Sequence, residues 1–494
     1  MSQPIISGFH PDPSICRVGD SYVLASSSFE YAPGVPIHRS DDLVSWTLVG
    51  NALTRPEQLA PSAGEKRSGI YAPTLRHHDG RYWLITTDTS QPMRGQLLVT
   101  AERPEGPWSD PVFVGGGIGI DPDLVWDEDG VCHLSWRSFH PDLNGVAIVA
   151  VDPATGELLG QPRLLWEGTG LAHIEGPHLY RIGDWWYLLV AEGGTERGHA
   201  VSVARSRTLA GPFEPGPANP ILSHRSTDHP VQNTGHADLV ELADGSWAVV
   251  YLGVRPRGVT PSFHVNGRET FLAGVDWVDG WPVVAEDRFV VPDVDHAFYD
   301  DFADAGLHPR WVSPGEAPDG FAEVTSTGLR LDATVPRLGP HQVLTRVRDV
   351  EWSADVTLDV TAGSARVLLR LDDDHWYGVT VGGGRAEAVL AVGPAVATVG
   401  VTELPDPGAV TVRLRVSLPP WPHPFGASPV PDLVELTLVR PDGTMHTFGE
   451  FDGRYLSTEV AGGFTGRLWG VHVLEGQVQV ASARYGRLAG PAAP

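Results

Sequence analysis

Three carboxylates stand where a turn exposes a side chain: Asp12 in HPDPSI, Asp121 in IDPDLV and Glu175 in IEGPHL. Carboxyl groups on two sides of a bound molecule can divide acid–base work, one donating a proton to a leaving oxygen while the other, ionised, activates water. The acetal linkage between sugars calls for such a pair. A separation of about 6.5–9.5 Å leaves room for water and inverts the anomeric centre, whereas about 5–5.5 Å gives a covalent intermediate and retention. Opposite sides of a wide channel suit the larger gap. A third carboxylate can hold the acid's pKa up by like-charge repulsion and can orient it. Glu175 carries the longer stem, suited to a leaving oxygen. Taken singly, an Asp-Pro pair is also the mark of an Asx turn, so the case rests on whether the three share a structural position.

A repeat places them. A Gly/Asp turn followed by an aromatic-rich strand occurs five times: GDSYVLASS from Gly19, DGRYWLITT from Asp79, DGVCHLSW from Asp129, GDWWYLLV from Gly183 and DGSWAVVYL from Asp244. Each reads as a hairpin. The markers Tyr22, Tyr82, Cys132, Trp186 and Trp247 are 60, 50, 54 and 61 residues apart, the length of a four-stranded propeller blade. Ten residues before Tyr22 lies Asp12; eleven before the other markers lie Tyr71, Asp121, Glu175 and His236. If the strand before each turn is the innermost of its blade, these five residues form a ring at the channel axis in one register. A packed axis without a function favours small or apolar residues, because clustered carboxylates repel and lose hydration. The ring is the candidate site.

The rest of the chain fits an all-β protein. Its 494 residues exceed one hydrophobic core. Hydrophobic residues at 41% and charged ones at 19% describe a globular chain, and Gly 57 with Pro 43 implies many turns and few helices. A net charge of -26 argues against nucleic acid and anionic membrane surfaces as partners. Met1 to Phe9 lacks a basic flank and apolar run, no stretch of about 18 apolar residues occurs, and a cytoplasmic location is expected. Cys16 and Cys132 read as buried small hydrophobes. After DGWPVVAEDRFVVPD the rhythm stops, and GLRLDATV, WSADVTLDV, SARVLLRLDDDHWYGVTVGG, AVTVRLRVSL and DLVELTLVR alternate as strands of a two-sheet sandwich. We therefore divide the chain into a five-bladed β-propeller, residues 1–297, and a β-sandwich, residues 298–494. The run Asp372 to Asp374 reads as a solvated loop.

GFHPDPSI, GIDPDLVW, EGPHLY with AEGGT, VQNTGHADLV, and GRETF with DGWPV resemble, in order, the motifs of glycoside hydrolase family 43. The resemblance implies an inverting, mostly exo-acting enzyme on β-xylosides or α-L-arabinofuranosides. It also implies roles: Asp12 as the general base, Glu175 as the general acid and Asp121 as the group that tunes and orients the acid. Arg268 matches an arginine that contacts substrate and the acids. Phe29 matches an aromatic wall of the sugar pocket, with plain core packing as the alternative. His236 matches the axial histidine, either a hydrogen-bonded core residue or a contact for an ion, calcium in some members; no cofactor is needed for the chemistry. Two positions depart from the pattern. Tyr71 stands where relatives acting on xylosides often carry Trp, and Asp123 where the family usually has serine; Asp123 is expected to face away from the axis and is given no role. FYDDFADAGLHPRW and FDGRYLSTEVAGGFTGRLWGVHV resemble the concanavalin-like sandwich of a subset of β-xylosidases, in which a loop closes one side of the pocket. The expected activity is a β-xylosidase on β-1,4-xylo-oligosaccharides, with α-L-arabinofuranosidase as an added or main activity, and self-association into a homo-oligomer is possible. A binding propeller without catalysis would not need the three acids, and a sialidase-like enzyme would need a tyrosine nucleophile and an arginine cluster that are not evident.

Overall fold

The computed structural model describes residues 3–115, 119–258, 261–405, 408–419 and 431–488. Among these, helix is confined to one short turn, Thr458–Ala461, and three 3-10 turns. No described helix is long and apolar enough to cross a membrane.

Five antiparallel sheets follow one another along the first part of the chain. Their first strands are Ser14–Val18, Thr74–His78, Gly119–Trp126, Glu175–Ile182 and Gln232–Glu241, in blades 1 to 5, and each meanders outward through the hairpin read from sequence. These strands neighbour one another in cyclic order, the fifth beside the first. The start of the chain completes the circle. Ile5 and Ile6 donate their N–H groups to the Thr270 carbonyl of blade 5 at 2.9 and 3.3 Å, and Thr270 returns one to Ile6 at 3.2 Å. Alternating strand residues pack blade on blade, and a separate apolar cluster fills each of the five seams. Cys16 and Cys132 lie in two of these clusters as free, buried thiols.

Blade 5 ends at Ala285, and the first strand of the second domain is Phe298–Asp300. That domain is a sandwich built around one 20-residue strand, Leu468–Arg487. Its first half pairs with Gln342–Arg346 and Gly363–Arg370; its second half pairs with Gly328–Asp332, Phe298–Asp300 and Trp352–Asp359. Gly476, at φ 62°, turns the strand from one sheet into the other, and a Cβ there would meet the Ala362 carbonyl at 2.2 Å. Between the sheets, Trp311, Trp352, Trp469 and Tyr485 anchor the core.

The domains share a joint. Ser313–Pro314 pairs with Tyr31–Ala32, Arg346 donates to the Phe9 carbonyl at 2.9 Å, and Phe9, Phe29 and Tyr31 pack with Val312, Leu344, Leu368 and Leu468. Asp372 belongs here too, which corrects its reading as solvated. It is 3% exposed, bound to Lys66 of the propeller at 3.1 Å and to His375 at 2.8 Å, whereas Asp373, which meets Arg370, and Asp374 are exposed. Charge alone cannot reveal a partner more than 300 residues away.

Candidate active site

The channel mouth is built by a shared irregularity of the inner strands. Regular pairing begins at Ser14–Ala25, Thr74–Ile85, Asp123–Ser135, His178–Leu189 and Asp238–Val250 in blades 1 to 5. Two residues ahead of these points stand Asp12, Ala72, Asp121, Gly176 and His236. The single register expected from sequence is thus corrected: Tyr71 and Glu175 sit one residue earlier than Asp12, Asp121 and His236. Counting back from the hairpins missed this because turn length differs between blades. In blades 3, 4 and 5 the strand also bulges between Ile120 and Asp123, Glu175 and His178, and Gly235 and Asp238. Asp12, Asp121, Gly176 and His236 have φ of 54°, 56°, 55° and 47°, a left-handed backbone that costs a non-glycine residue energy and is kept where it aims a side chain. In blade 4 this position is taken by glycine for a second reason. A Cβ on Gly176 would lie 2.9 Å from Nε2 of the His236 ring.

The surroundings drive the three acids to different states. Asp12 is buried, which alone would raise its pKa. Arg268 donates to it at 2.9 Å and the Ser27 hydroxyl at 2.5 Å, and with His236 nearby they hold it below the usual carboxylate value. Glu175 is pushed up to about 7 by burial and then by the Asp12 charge, against Arg268 and Arg137. Its carboxyl group makes no hydrogen bond with any described residue, so its proton is available to a guest. Asp121 is raised well above its ordinary range by burial, then by the charges of Glu175 and Asp12, while the Gly176 N–H, 3.1 Å away, favours its anion. Asp121 and Glu175 thus behave as a pair that retains a proton near neutrality while Asp12 is ionised.

Aromatic rings wall the space around them. Phe29 lies 5.2 Å from Tyr71, edge on, and 5.4 Å from Phe464, stacked; Tyr71 and Phe464 are 5.8 Å apart. The Arg268 guanidinium sits 5.4 Å from the Phe29 ring and 5.5 Å from that of Phe464, and donates to the Thr195 hydroxyl at 3.0 Å. Tyr71 donates its hydroxyl to the Arg67 carbonyl at 2.7 Å. Phe464 comes from the sandwich, on the loop between Thr458–Ala461 and the long strand, and sequence reasoning did not single it out, because one aromatic between glycines carries no signal. Arg137, whose charge bears on Glu175, was missed for the same reason.

Deeper in the channel, a polar knot closes the axis. Arg76 of blade 2 pairs with Asp123 of blade 3 at 2.7 Å and Asp238 of blade 5 at 3.0 Å; Ser14 donates to Asp238 at 2.7 Å, and Tyr180 donates to it as well. Asp123 also accepts the Leu179 N–H at 2.8 Å. Contacts reaching all five blades can meet only at the axis, so Asp123 faces inward, contrary to the expectation that it points away. Two residues along a strand return to the same face, so Asp123 follows Asp121 towards the axis, and the bulge between them sends it deeper. His236 lies above, its Nδ1 3.6 Å from Asp12, and burial lowers its pKa to about 4, leaving it neutral. A calcium ion takes six to eight oxygens. Here Asp12 is engaged by Arg268 and Ser27, and Asp123 and Asp238 by Arg76, so these residues do not fit a calcium ion held by protein oxygens.

Comparison with known proteins agrees with this architecture. The profile of glycosyl hydrolases family 43 matches residues 1–282, and that of the β-xylosidase C-terminal concanavalin A-like domain matches residues 299–486. A non-reducing end α-L-arabinofuranosidase of Bacteroides ovatus is 37% identical over 500 residues, covering 95% of this chain and 90% of that protein. A xylosidase/arabinosidase of Butyrivibrio fibrisolvens is 46% identical over 295 residues, 57% of this chain and 56% of its own. Among solved structures, the xylan β-1,4-xylosidase of Bacillus halodurans superposes with a TM-score of 0.88 at 29% identity, covering 99% of this chain and 100% of that one. A family profile over more than half of the chain and a relative matched along nearly all of it carry one conclusion: the chain belongs to glycosyl hydrolase family 43.

Proposed function

We propose that this glycosidase removes terminal xylose from short β-1,4-xylo-oligosaccharides as its main activity and also accepts terminal α-L-arabinofuranosyl groups. Asp12 is the general base, Glu175 the general acid and Asp121 the neighbouring carboxyl that shares the pair's proton with it and, accepting from the Gly176 N–H, orients it. One observation carries the assignment: Asp12 is held ionised by Arg268 and Ser27, while Glu175, without a hydrogen-bond partner, has its pKa raised to about 7. In a single displacement, water gives a proton to Asp12 as its oxygen bonds to the anomeric carbon. The glycosidic bond breaks, and Glu175 protonates the departing oxygen. The configuration inverts. Bond cleavage needs no cofactor, and no step passes through an ion at His236.

Phe29, Tyr71 and Phe464 support action on a chain end, because rings from both domains wall the space above the acids. A second reading makes α-L-arabinofuranosidase the main activity. It is favoured by the name of the Bacteroides ovatus relative that spans the chain, and by the hydroxyl that Tyr71 brings to the wall. Initial rates on 4-nitrophenyl β-D-xylopyranoside, 4-nitrophenyl α-L-arabinofuranoside and xylobiose separate the two. Higher kcat/KM on both xylosyl substrates supports the first reading, higher kcat/KM on the arabinofuranoside supports the second, and no hydrolysis of any of them rejects both. Self-association is also proposed. Its support is the edge strand Ala395–Glu403, which turns Val396, Val399 and Val401 to solvent.

A further inference from the structure

Outside the sugar pocket, two histidines and a glutamate converge at blade 5. His224 and His229 lie on the connector between Glu214–Pro215 of blade 4 and Gln232–Glu241 of blade 5; Glu286 follows the last strand of blade 5, Trp281–Ala285. One ligand atom from each lies within 4.8 Å of the others. His224 is buried, and His229 and Glu286 are half-buried.

Local hydrogen bonds indicate which ring nitrogens are free. The Val231 carbonyl lies 2.7 Å from Nδ1 of His224 and 3.0 Å from Nδ1 of His229. A carbonyl oxygen has two lone pairs and can accept from both, which puts the His224 proton on Nδ1; at His229 the Val231 N–H also approaches Nδ1, at 3.2 Å, and the shorter contact to the carbonyl favours the same tautomer, with the lone pair on each Nε2. Nε2 of His224 then faces the Glu286 carboxylate at 3.0 Å, and Nε2 of His229 has no partner among the described residues. Lone pairs turned on a carboxylate repel unless a cation lies between them. The carboxylate is itself held, because Tyr251 donates its hydroxyl to Oε1 at 3.1 Å. Imidazoles fixed through Nδ1 by a carbonyl, with a carboxylate fixed by a hydroxyl, are how proteins orient metal ligands.

We propose that His224, His229 and Glu286 bind one divalent transition-metal ion of the zinc class, through the two Nε2 atoms and a carboxylate oxygen, with water completing the coordination. Two imidazoles and one carboxylate suit zinc, whereas calcium prefers an all-oxygen shell. The ion ties the connector to the outer edge of blade 5. Gln232, which donates to the His229 carbonyl at 2.8 Å, opens the strand that carries His236, so the clamp steadies one wall of the channel. An ion bound only by the folded chain stabilises it by mass action. The rival cation is a proton, giving a His224–Glu286 ion pair. Burial lowers the His224 pKa, but the bond to Glu286 outweighs it and leaves it raised.

The test uses the full chain, stripped with a chelator, then titrated with Zn2+ by calorimetry and with Co2+ by visible spectroscopy. The expected result is one ion per chain, the absorption of four-coordinate cobalt and a higher thermal midpoint. His229→Ala and Glu286→Gln should each weaken binding by more than about a hundredfold, and Tyr251→Phe, which frees the carboxylate, by about tenfold; near-UV circular dichroism checks that each variant is folded. Absence of saturable binding, or an affinity in His229→Ala and Glu286→Gln equal to that of the parent, overturns the proposal. So does a thermal midpoint that responds to pH but to neither metal, which would assign the site to a proton.

Discussion

Asp12 and Glu175 are the same functional group held in opposite states, and the difference lies in what touches them. Asp12 accepts from a guanidinium and a hydroxyl, whereas Glu175 accepts from neither and feels the Asp12 charge. The pH dependence follows. Asp12 must be ionised, so activity is lost as pH falls through its lowered pKa; Glu175 must be protonated, so activity is lost as pH rises through about 7. Arg268 lowers both values. Arg268→Met should therefore move both limbs of the kcat/KM profile to higher pH, the acidic limb by about one to three units. Limbs that stay in place would contradict the part given to Arg268. At this scale the sequence was informative, since three acids, Arg268 and Phe29 were found from motifs and spacing. Arg137 and Ser27 were not, because an isolated arginine or serine has no pattern.

Strands and loops decide whether these groups can meet. The alternation that makes a blade would put Asp121 and Asp123 on one face, yet the bulge between them sends one to the mouth and the other into the Arg76 knot. A bulge has no period, so the hairpin repeat revealed five blades and left the offset of Tyr71 and Glu175 hidden. Loops are harder still. Phe464 reaches the pocket because Glu459, at the start of its short helix, accepts from the His264 N–H at 3.0 Å and meets the His264 ring at 2.8 Å. Removing this wall with Phe464→Ala should lower kcat/KM on xylobiose by about tenfold or more, mainly through KM. An unchanged KM would show that the ring does not touch substrate.

Across the whole molecule, the two domains act as one because charges from both are buried together. Asp432 and Arg467 of the sandwich form an ion pair with almost no exposure, and Arg257 of the propeller joins it at 3.3 Å. Arg467 also donates to the Leu456 carbonyl at 2.8 Å and to that of Gly453, anchoring the segment that holds Phe464. Replacing one partner strands the others. Asp432→Asn should cost about 3–5 kcal/mol of stability, seen as a lower denaturation midpoint, and a midpoint within error of the parent would show that the joint is not under this strain. The sequence disclosed two domains through a change of rhythm, and it disclosed their joint only through family likeness. Pairing across hundreds of residues leaves no local trace.

The division of labour between Asp12 and Glu175 is the central claim, and leaving-group dependence in Glu175→Ala tests it most directly. Cleavage of xylobiose expels the second xylose through an alcohol oxygen, a poor leaving group that needs the proton, while 4-nitrophenolate departs without much help. The account predicts a turnover loss on xylobiose at least about a hundredfold larger than on 4-nitrophenyl β-D-xylopyranoside. Equal losses on the two substrates would contradict it.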